Sequence, residues 1–302
     1  MIERWEFEAD AGPRRLHAEL ASAGVAWVHA PRIVETARVD PWAAVAALLG
    51  EAPLLLERQP IRAVAGGRSF ASGCMAAPFH SDSQMCLGVP PHVQVMACRR
   101  AAATGGEGLY LDTWGLLERV AAEDPALLAQ LFEQPRRFPF VFGDVLGATL
   151  SLRGGGLVFT HSAQPVAGDA VAARLRPLLD SAPAIEVPAR DGDVVAIHNH
   201  RLLHGRRAFQ DARREFVRLL VWRAEPYPAP AGWLERARAA PGTPETPTDP
   251  EARRRLGLVL ELLRGVPPGV VSGREGLPEP RLYAWRDAAL GSALAALDPR
   301  RG

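Results

Sequence analysis

The sequence predicts a mainly β protein with peripheral helices, a sandwich or barrel followed by a helical C-terminal extension. Three observations carry this. Between residues 92 and 223, short apolar runs alternate with Gly and Pro, the pattern of many brief strands separated by turns. Helical spacing is confined to a few stretches outside and between those runs. Near residue 226 the composition turns Pro-rich, which interrupts regular structure before a final helical segment.

The elements follow in order. Residues 12–24 alternate apolar and charged groups at helical spacing, with Leu16 and Leu20 on one face, and predict a first helix. VAWVHA at 25–30 reads as a strand. PWAAVAALLG at 41–50 is a helix with Pro at its start and Gly at its stop. Another helix is expected over 113–132, with Thr113 as its N-cap. Short strands are expected at 92–98, 109–111, 138–142, 148–153, 157–160, 184–188, 193–199 and 215–223, interrupted by a helix at 168–181. YPAPAGW (227–233) and PGTPETPTDP (241–250) cannot be regular, and helices at 250–264 and 281–297 follow them. We read residues 1–226 as one β domain with N-terminal helices. Residues 227–302 are a Pro-rich linker and a helical extension packed on that domain. No internal repeat is visible.

Composition excludes several classes. A net charge of +1 offers no basic field for nucleic acid. All 35 basic residues are Arg, which removes Schiff-base chemistry and the lysine of a phosphate-binding loop. Cys74, Cys86 and Cys98 are an odd set without a C-x-x-C pair, and fit neither a disulfide framework nor a structural zinc knot. The charged opening MIERWEFEAD and the lack of any apolar run of about 18 residues predict a cytoplasmic chain with no membrane span. The expected partner is a small molecule; oligomeric state is not legible.

APFHSDSQMC contains His80-x-Asp82. Two residues apart on a strand, both side chains point to one side and can converge on a metal ion. Imidazole and carboxylate suit Fe(II), and a second His would complete one face while leaving positions open. The spacing alone is weak. His17-Ala-Glu19 matches it too, and in a helix those side chains diverge, which makes His17 a solvated helix residue. What distinguishes His80 and Asp82 is the segment DGDVVAIHNHRLLHGRRAFQDARREFVRLLVWR (191–223). There a Gly-Asp turn feeds an apolar strand, His204 follows, and a further strand carries Arg214 and Arg218, four apart and so on one face. The planar fork of Arg holds a carboxylate with two parallel bonds.

The order H-x-D, then GGE, then GDVV..HNHRLLHGR, then R-x3-R resembles the TauD/TfdA-type Fe(II)/2-oxoglutarate oxygenases. The HGR-x-x-F spelling is nearest the clavaminate-synthase-like amino-acid hydroxylase branch. The match covers approximately residues 40–224. The resemblance implies a double-stranded β-helix, a jelly-roll or cupin-like core. It implies Fe(II) held by His80, Asp82 and His204, and 2-oxoglutarate held through its distal carboxylate by Arg214. It implies a substrate contact at Arg218, and His161 lies where relatives place pocket-lining residues. The implied reaction consumes O2 and oxidises an unactivated C–H bond of a small polar substrate, an amino acid or its derivative, free or carrier-bound. Succinate and CO2 are the co-products. Many relatives carry Thr after Gly-Gly-[Asp/Glu] and place it against 2-oxoglutarate; here position 108 is Gly and that hydroxyl is missing. Retention of Asp82 disfavours halogenation. Asn199, the sole asparagine, is expected to orient backbone near the site. His198 and His200 share one strand face that spacing does not assign to the metal. Two alternatives remain open at this point: a cupin-like metalloenzyme without 2-oxoglutarate, which leaves Arg214 without a task, and a non-catalytic β-helix scaffold.

Overall fold

The computed structural model describes residues 2–64, 67, 69–82, 89–140, 143–164, 166–240, 250–263 and 266–297. The chain divides into two units, Met1–Thr246 and Pro247–Gly302. The first opens with β1 (Arg4–Glu6), α1 (Gly12–Ser22), β2 (Val25–His29), α2 (Pro31–Val39) and α3 (Pro41–Leu49). Next come β3 (Leu55–Arg62), β4 (Ala77–His80), β5 (Val93–Arg100), β6 (Gly108–Asp112), α4 (Thr113–Glu123) and α5 (Pro125–Glu133). Two hairpins follow, β7 (Arg136–Phe140) with β8 (Gly143–Gly147), and β9 (Leu150–Arg153) with β10 (Gly156–Phe159), then α6 (Ala170–Ser181). β11 (Ala184–Val187), β12 (Asp193–His198), β13 (Leu202–Arg206), β14 (Glu215–Trp222) and α7 (Ala231–Ala239) complete the unit.

Two sheets dominate it. One has the order β1-β2-β12-β5-β14-β3, the other β11-β6-β13-β4. Strand alternation decides what each face does. On β5, Val93, Val95 and Ala97 pack against Leu16, Leu20, Val45 and Leu48 of α1 and α3. Gln94 and Met96, between them, face the second sheet across a cavity shared with Tyr110 and His204. On the second sheet, Leu111 and Leu203 pack outward against α4, α5 and α6. Helices therefore cover both outer faces, and the space between the sheets holds Val195 and Ile197 packed on Val187 and Leu202, with a cavity beside them that takes polar groups. That arrangement positions the site.

One expectation holds in detail and others are corrected. α3 begins at Pro41, and Gly50 closes it at φ 69°, a left-handed conformation that favours Gly. The single helix expected over 113–132 is two helices. Asp124 caps α5 by accepting from the Leu127 amide, and Pro125 supplies its first residue, so the chain turns there. Asp112 rather than Thr113 caps α4. α2 and β3 are present where no element was expected, and α7 takes Ala231, Gly232 and Trp233 into a helix that starts after Pro230, in a segment expected to be irregular. The first unit also runs past residue 226, because Ala237 of α7 is buried with Leu150 and Leu157 of the β9–β10 hairpin, and Trp233 and Leu234 pack on the same cluster. Residues 141–142 of one expected strand and most of the run 241–250 lie outside the described residues.

The second unit contains α8 (Pro250–Leu263), α9 (Pro268–Glu275) and α10 (Glu279–Leu297). Its own core includes Leu258, Val271 and Leu282. Buried Glu261 pairs there with Arg274 at 2.9 Å. Among the described residues, no helix is long and apolar enough to cross a membrane.

Candidate metal centre

β4 and β13 pair antiparallel, with His80 directly opposite His204. Cross-strand partners point to the same face, so the two imidazoles meet with centroids 4.3 Å apart. Asp82 reaches them by a different route from the one its spacing suggests. β4 ends at His80, and Asp82 lies in the bend beyond it. The bend is fixed through Ser81, whose amide donates to the His161 carbonyl at 3.0 Å while its hydroxyl accepts from the His161 amide at 3.0 Å. Asn199 reinforces it: Nδ2 donates to the carbonyls of Asp82 at 3.4 Å and Pro91 at 3.0 Å. This backbone-orienting role is the one expected of Asn199.

The three ligand atoms lie within 4.8 Å of one another, the one such group among the described residues. Asp82 Oδ1 is 3.7 Å from His80 Nε2, and Oδ2 is 3.6 Å from His204 Nε2. Ligands bound to one ion at about 2.1 Å sit about 3 Å apart, so small side-chain shifts close this set on a metal. The protonation states also fit. His80 Nδ1 donates to the Pro78 carbonyl at 2.8 Å, which leaves the Nε2 lone pair facing Asp82. Burial, followed by repulsion from His80, pushes the His204 pKa down to about 3, so its ring is neutral. Burial alone raises that of Asp82, but Arg218, His204 and His80 pull it down to about 2. Two imidazoles and one carboxylate are the donor set of a non-haem Fe(II) site.

Asp82 Oδ2 also accepts from Arg218 Nη1 and from Gln94 Nε2, while Arg218 Nη2 donates to Gln59 Oε1. Arg218, expected at a substrate, thus stands beside the Asp82 carboxylate in this structure. Gln94 is a site residue that sequence reasoning missed. It is only 2% exposed, and its signal was a lone amide in the strand VQVMAC.

Arg214 immediately precedes β14 and is 5% exposed. Its guanidinium lies between the rings of Phe209 at 5.0 Å and Phe216 at 3.9 Å. Its one polar side-chain contact among the described residues is the Gly106 carbonyl at 3.5 Å. Burial, then Arg206, pulls its pKa down to about 10, still far above neutrality. A buried cation without a carboxylate partner calls for an anionic ligand. Arg214 shares a cavity of about 100 Å³ with His80, His204 and Arg218.

His161 lines a second, larger cavity of about 560 Å³, with Arg136, Arg176 and Phe79. Burial, then Arg136, pushes its pKa down to about 4. His198 and His200 do not join the metal group. His200 Nε2 donates to the Pro90 carbonyl at 2.9 Å, and His198 lies tilted against Tyr227 and meets Trp114 edge-on. His17 is held between Tyr227 Oη at 2.6 Å and the Leu49 carbonyl at 2.8 Å, a packed rather than solvated residue.

No curated protein matches this chain. Among solved structures, it is similar to asparagine oxygenase in complex with Fe(II), 2S,3S-3-hydroxyasparagine and succinate, at 17% identity and TM-score 0.54, over 70% of this chain and 78% of that one. PvcB from Pseudomonas aeruginosa matches at 17% identity and TM-score 0.52, over 72% and 82%. The non-heme iron oxygenase OrfP, with Fe, succinate and (3R,4R)-dihydroxy-L-Arg, matches at 15% identity and TM-score 0.51, over 81% and 98%. These likenesses establish the fold. The family model for taurine catabolism dioxygenase TauD, TfdA family, matches residues 62–166 and 163–220, a span that holds His80, Asp82, His204 and both arginines. With more than half of its length matched, the chain belongs to the TauD/TfdA family of Fe(II)- and 2-oxoglutarate-dependent dioxygenases.

Proposed function

We propose that His80, Asp82 and His204 hold the Fe(II) of this dioxygenase and that Arg214 holds the distal carboxylate of 2-oxoglutarate. The observation that carries this reading is Arg214: a buried cation, without a carboxylate partner among the described residues, in the same cavity as His80 and His204 of the metal group. We read the two facing sheets as a double-stranded β-helix, with the site in its mouth.

When bound, Fe(II) with 2-oxoglutarate and O2 supplies the oxidising power that cleaves an unactivated C–H bond, with succinate and CO2 as co-products. The chain's own residues orient and exclude. His80 and His204 present lone pairs, and Asp82 stays ionised because Arg218 stands beside it. Phe209 and Phe216 shield the Arg214 guanidinium from water, which strengthens its pairing with a carboxylate. The substrate we propose is a small polar molecule, an amino acid or its derivative, free or carrier-bound. The asparagine and arginine products bound by two structural neighbours support that class. His161 and the cavity it lines are the proposed approach for it.

The test is anaerobic addition of Fe(II) and 2-oxoglutarate to the pure protein. A visible metal-to-ligand charge-transfer band is expected in the wild type and not in Arg214→Ala. No band in the wild type overturns the site assignment. Screening free amino acids and carrier-bound aminoacyl groups for stimulated succinate release then identifies the substrate.

A further inference from the structure

Tyr110 occupies a position that the reading above does not explain. It pairs across β6 and β13 with His204, which in turn pairs with His80. His80, His204 and Tyr110 therefore form one row on the inner face of the sheet. Tyr110 is only 6% exposed, and among the described residues its hydroxyl makes no hydrogen bond. The hydroxyl is not one of the buried polar atoms left without a partner, so it opens onto adjoining space where a ligand can engage it. That space is the cavity Tyr110 shares with Arg214.

Gly108 makes this placement possible. It lies two residues before Tyr110 on the same strand face. A Cβ at Gly108 would stand 2.6 Å from Tyr110 Oη and 3.0 Å from two ring carbons, closer than such contacts occur. Any side chain at 108 would push the phenol away. Gly106 does the same for the arginine: it has φ 81°, and a Cβ there would stand 3.1 Å from Arg214 Nε. Two glycines thus seat two donors along one short stretch of chain, and both donors line one cavity. A carboxylate in that cavity, with two oxygens, can accept from both.

We propose that Tyr110 donates to the same distal carboxylate of 2-oxoglutarate as Arg214, and that Gly108 is there to admit the phenol; this rests on the co-substrate reading above. Arg214 supplies the charge, while Tyr110 supplies direction, fixing the distance between the distal carboxylate and the keto acid end. Burial pushes the phenol up despite Arg214, so it remains protonated and able to donate. The hydroxyl missing at position 108 is replaced by one from position 110.

The experiment is calorimetric titration of 2-oxoglutarate, and separately of pyruvate, into anaerobic Fe(II)-loaded protein. Pyruvate keeps the keto acid end and lacks the distal carboxylate. Tyr110→Phe is expected to weaken 2-oxoglutarate binding about 10-fold or more, the scale of a hydrogen bond to a charged group. Pyruvate binding is expected to stay unchanged, a split that general loosening of the site would not produce. Gly108→Ala is expected to weaken 2-oxoglutarate binding in the wild-type background, and to do much less in Tyr110→Phe. Tyr110→Phe within twofold of wild type for 2-oxoglutarate, or equal losses for both ligands, overturns the proposal and leaves the site assignment standing. A wild type that binds neither ligand overturns both.

Discussion

At the scale of single residues, the site is a problem in charge. Asp82 is buried among two imidazoles that are neutral when they bind metal, and burial opposes its ionisation. Arg218 is the largest influence in the other direction, and its contact with Oδ2 is direct. Arg218→Met is therefore expected to raise the Asp82 pKa and to weaken Fe(II) affinity about 10- to 100-fold. The sign with pH follows. A carboxylate with a higher pKa keeps its proton to higher pH, so the acidic limit of metal binding moves upward in the variant. Equilibrium dialysis with Fe(II) or Co(II) across pH measures this. Unchanged metal affinity with a raised substrate KM would instead return Arg218 to the substrate contact that sequence order suggests. The three candidate ligands, which the structure brings together, were legible as a set from their motif order along the chain. Gln94 and Tyr110 were not, since each matters through a neighbour on another strand or a missing Cβ two residues away. Register and cavity are not visible in one dimension.

At the scale of elements, strong local signals were read well and edges were not. α1, α3 and α6 have periodic apolar faces or unambiguous stops, and the central strands β5, β12 and β14 are apolar runs buried on both faces. β3 escaped because LLERQPIR is an edge strand, half exposed, with Pro60 where a central strand would need a donor. β13 escaped because it is short and contains Gly205. Gly205 also lies close to the β4 backbone, where a Cβ would stand 2.8 Å from the Ala77 carbonyl. The break at Asp124-Pro125 was readable in principle, since Asp followed by Pro is a cap and a first helical residue; the apolar spacing of the two helices runs through it and hid it. An element-scale prediction concerns Gly50. Its left-handed φ of 69°, and a Cβ that would stand 2.9 Å from Pro13 of α1, make Gly50→Ala unfavourable twice over. A loss of about 1–2 kcal/mol in urea unfolding is expected. A neutral result would mean that the end of α3 relaxes freely.

At the scale of the first unit, one carboxylate ties its N-terminal strands to the sheet that carries half of the site. The side chain of Asp193, at the start of β12, is fully buried. It accepts from Arg4 Nη2 at 2.9 Å, Trp27 Nε1 at 2.9 Å, His29 Nδ1 at 3.0 Å and the Arg190 amide at 2.9 Å. These groups come from β1, β2 and the turn before β12, so the carboxylate joins segments far apart in sequence. Burial raises its pKa, but the bonds from Arg4, the Arg190 amide, Trp27 and His29 outweigh it and hold the value below the ordinary carboxylate range. The linkage has a definite sign. A carboxylate with a depressed folded pKa contributes stability that is fully present above its unfolded pKa of about 3.9, and loses it as pH falls through the folded value. Asp193→Asn keeps the shape, removes the charge and turns an amide N–H₂ toward donors. A loss of about 2–4 kcal/mol is expected at neutral pH. The difference from wild type should be constant down to about pH 4 and shrink below it, as the wild-type carboxylate takes up its proton. Urea unfolding at stepped pH tests both statements. Wild-type and variant curves that stay parallel into acid would show that the loss comes from the amide N–H₂ facing donors rather than from the charge, and that the acid limit of this fold lies in another carboxylate.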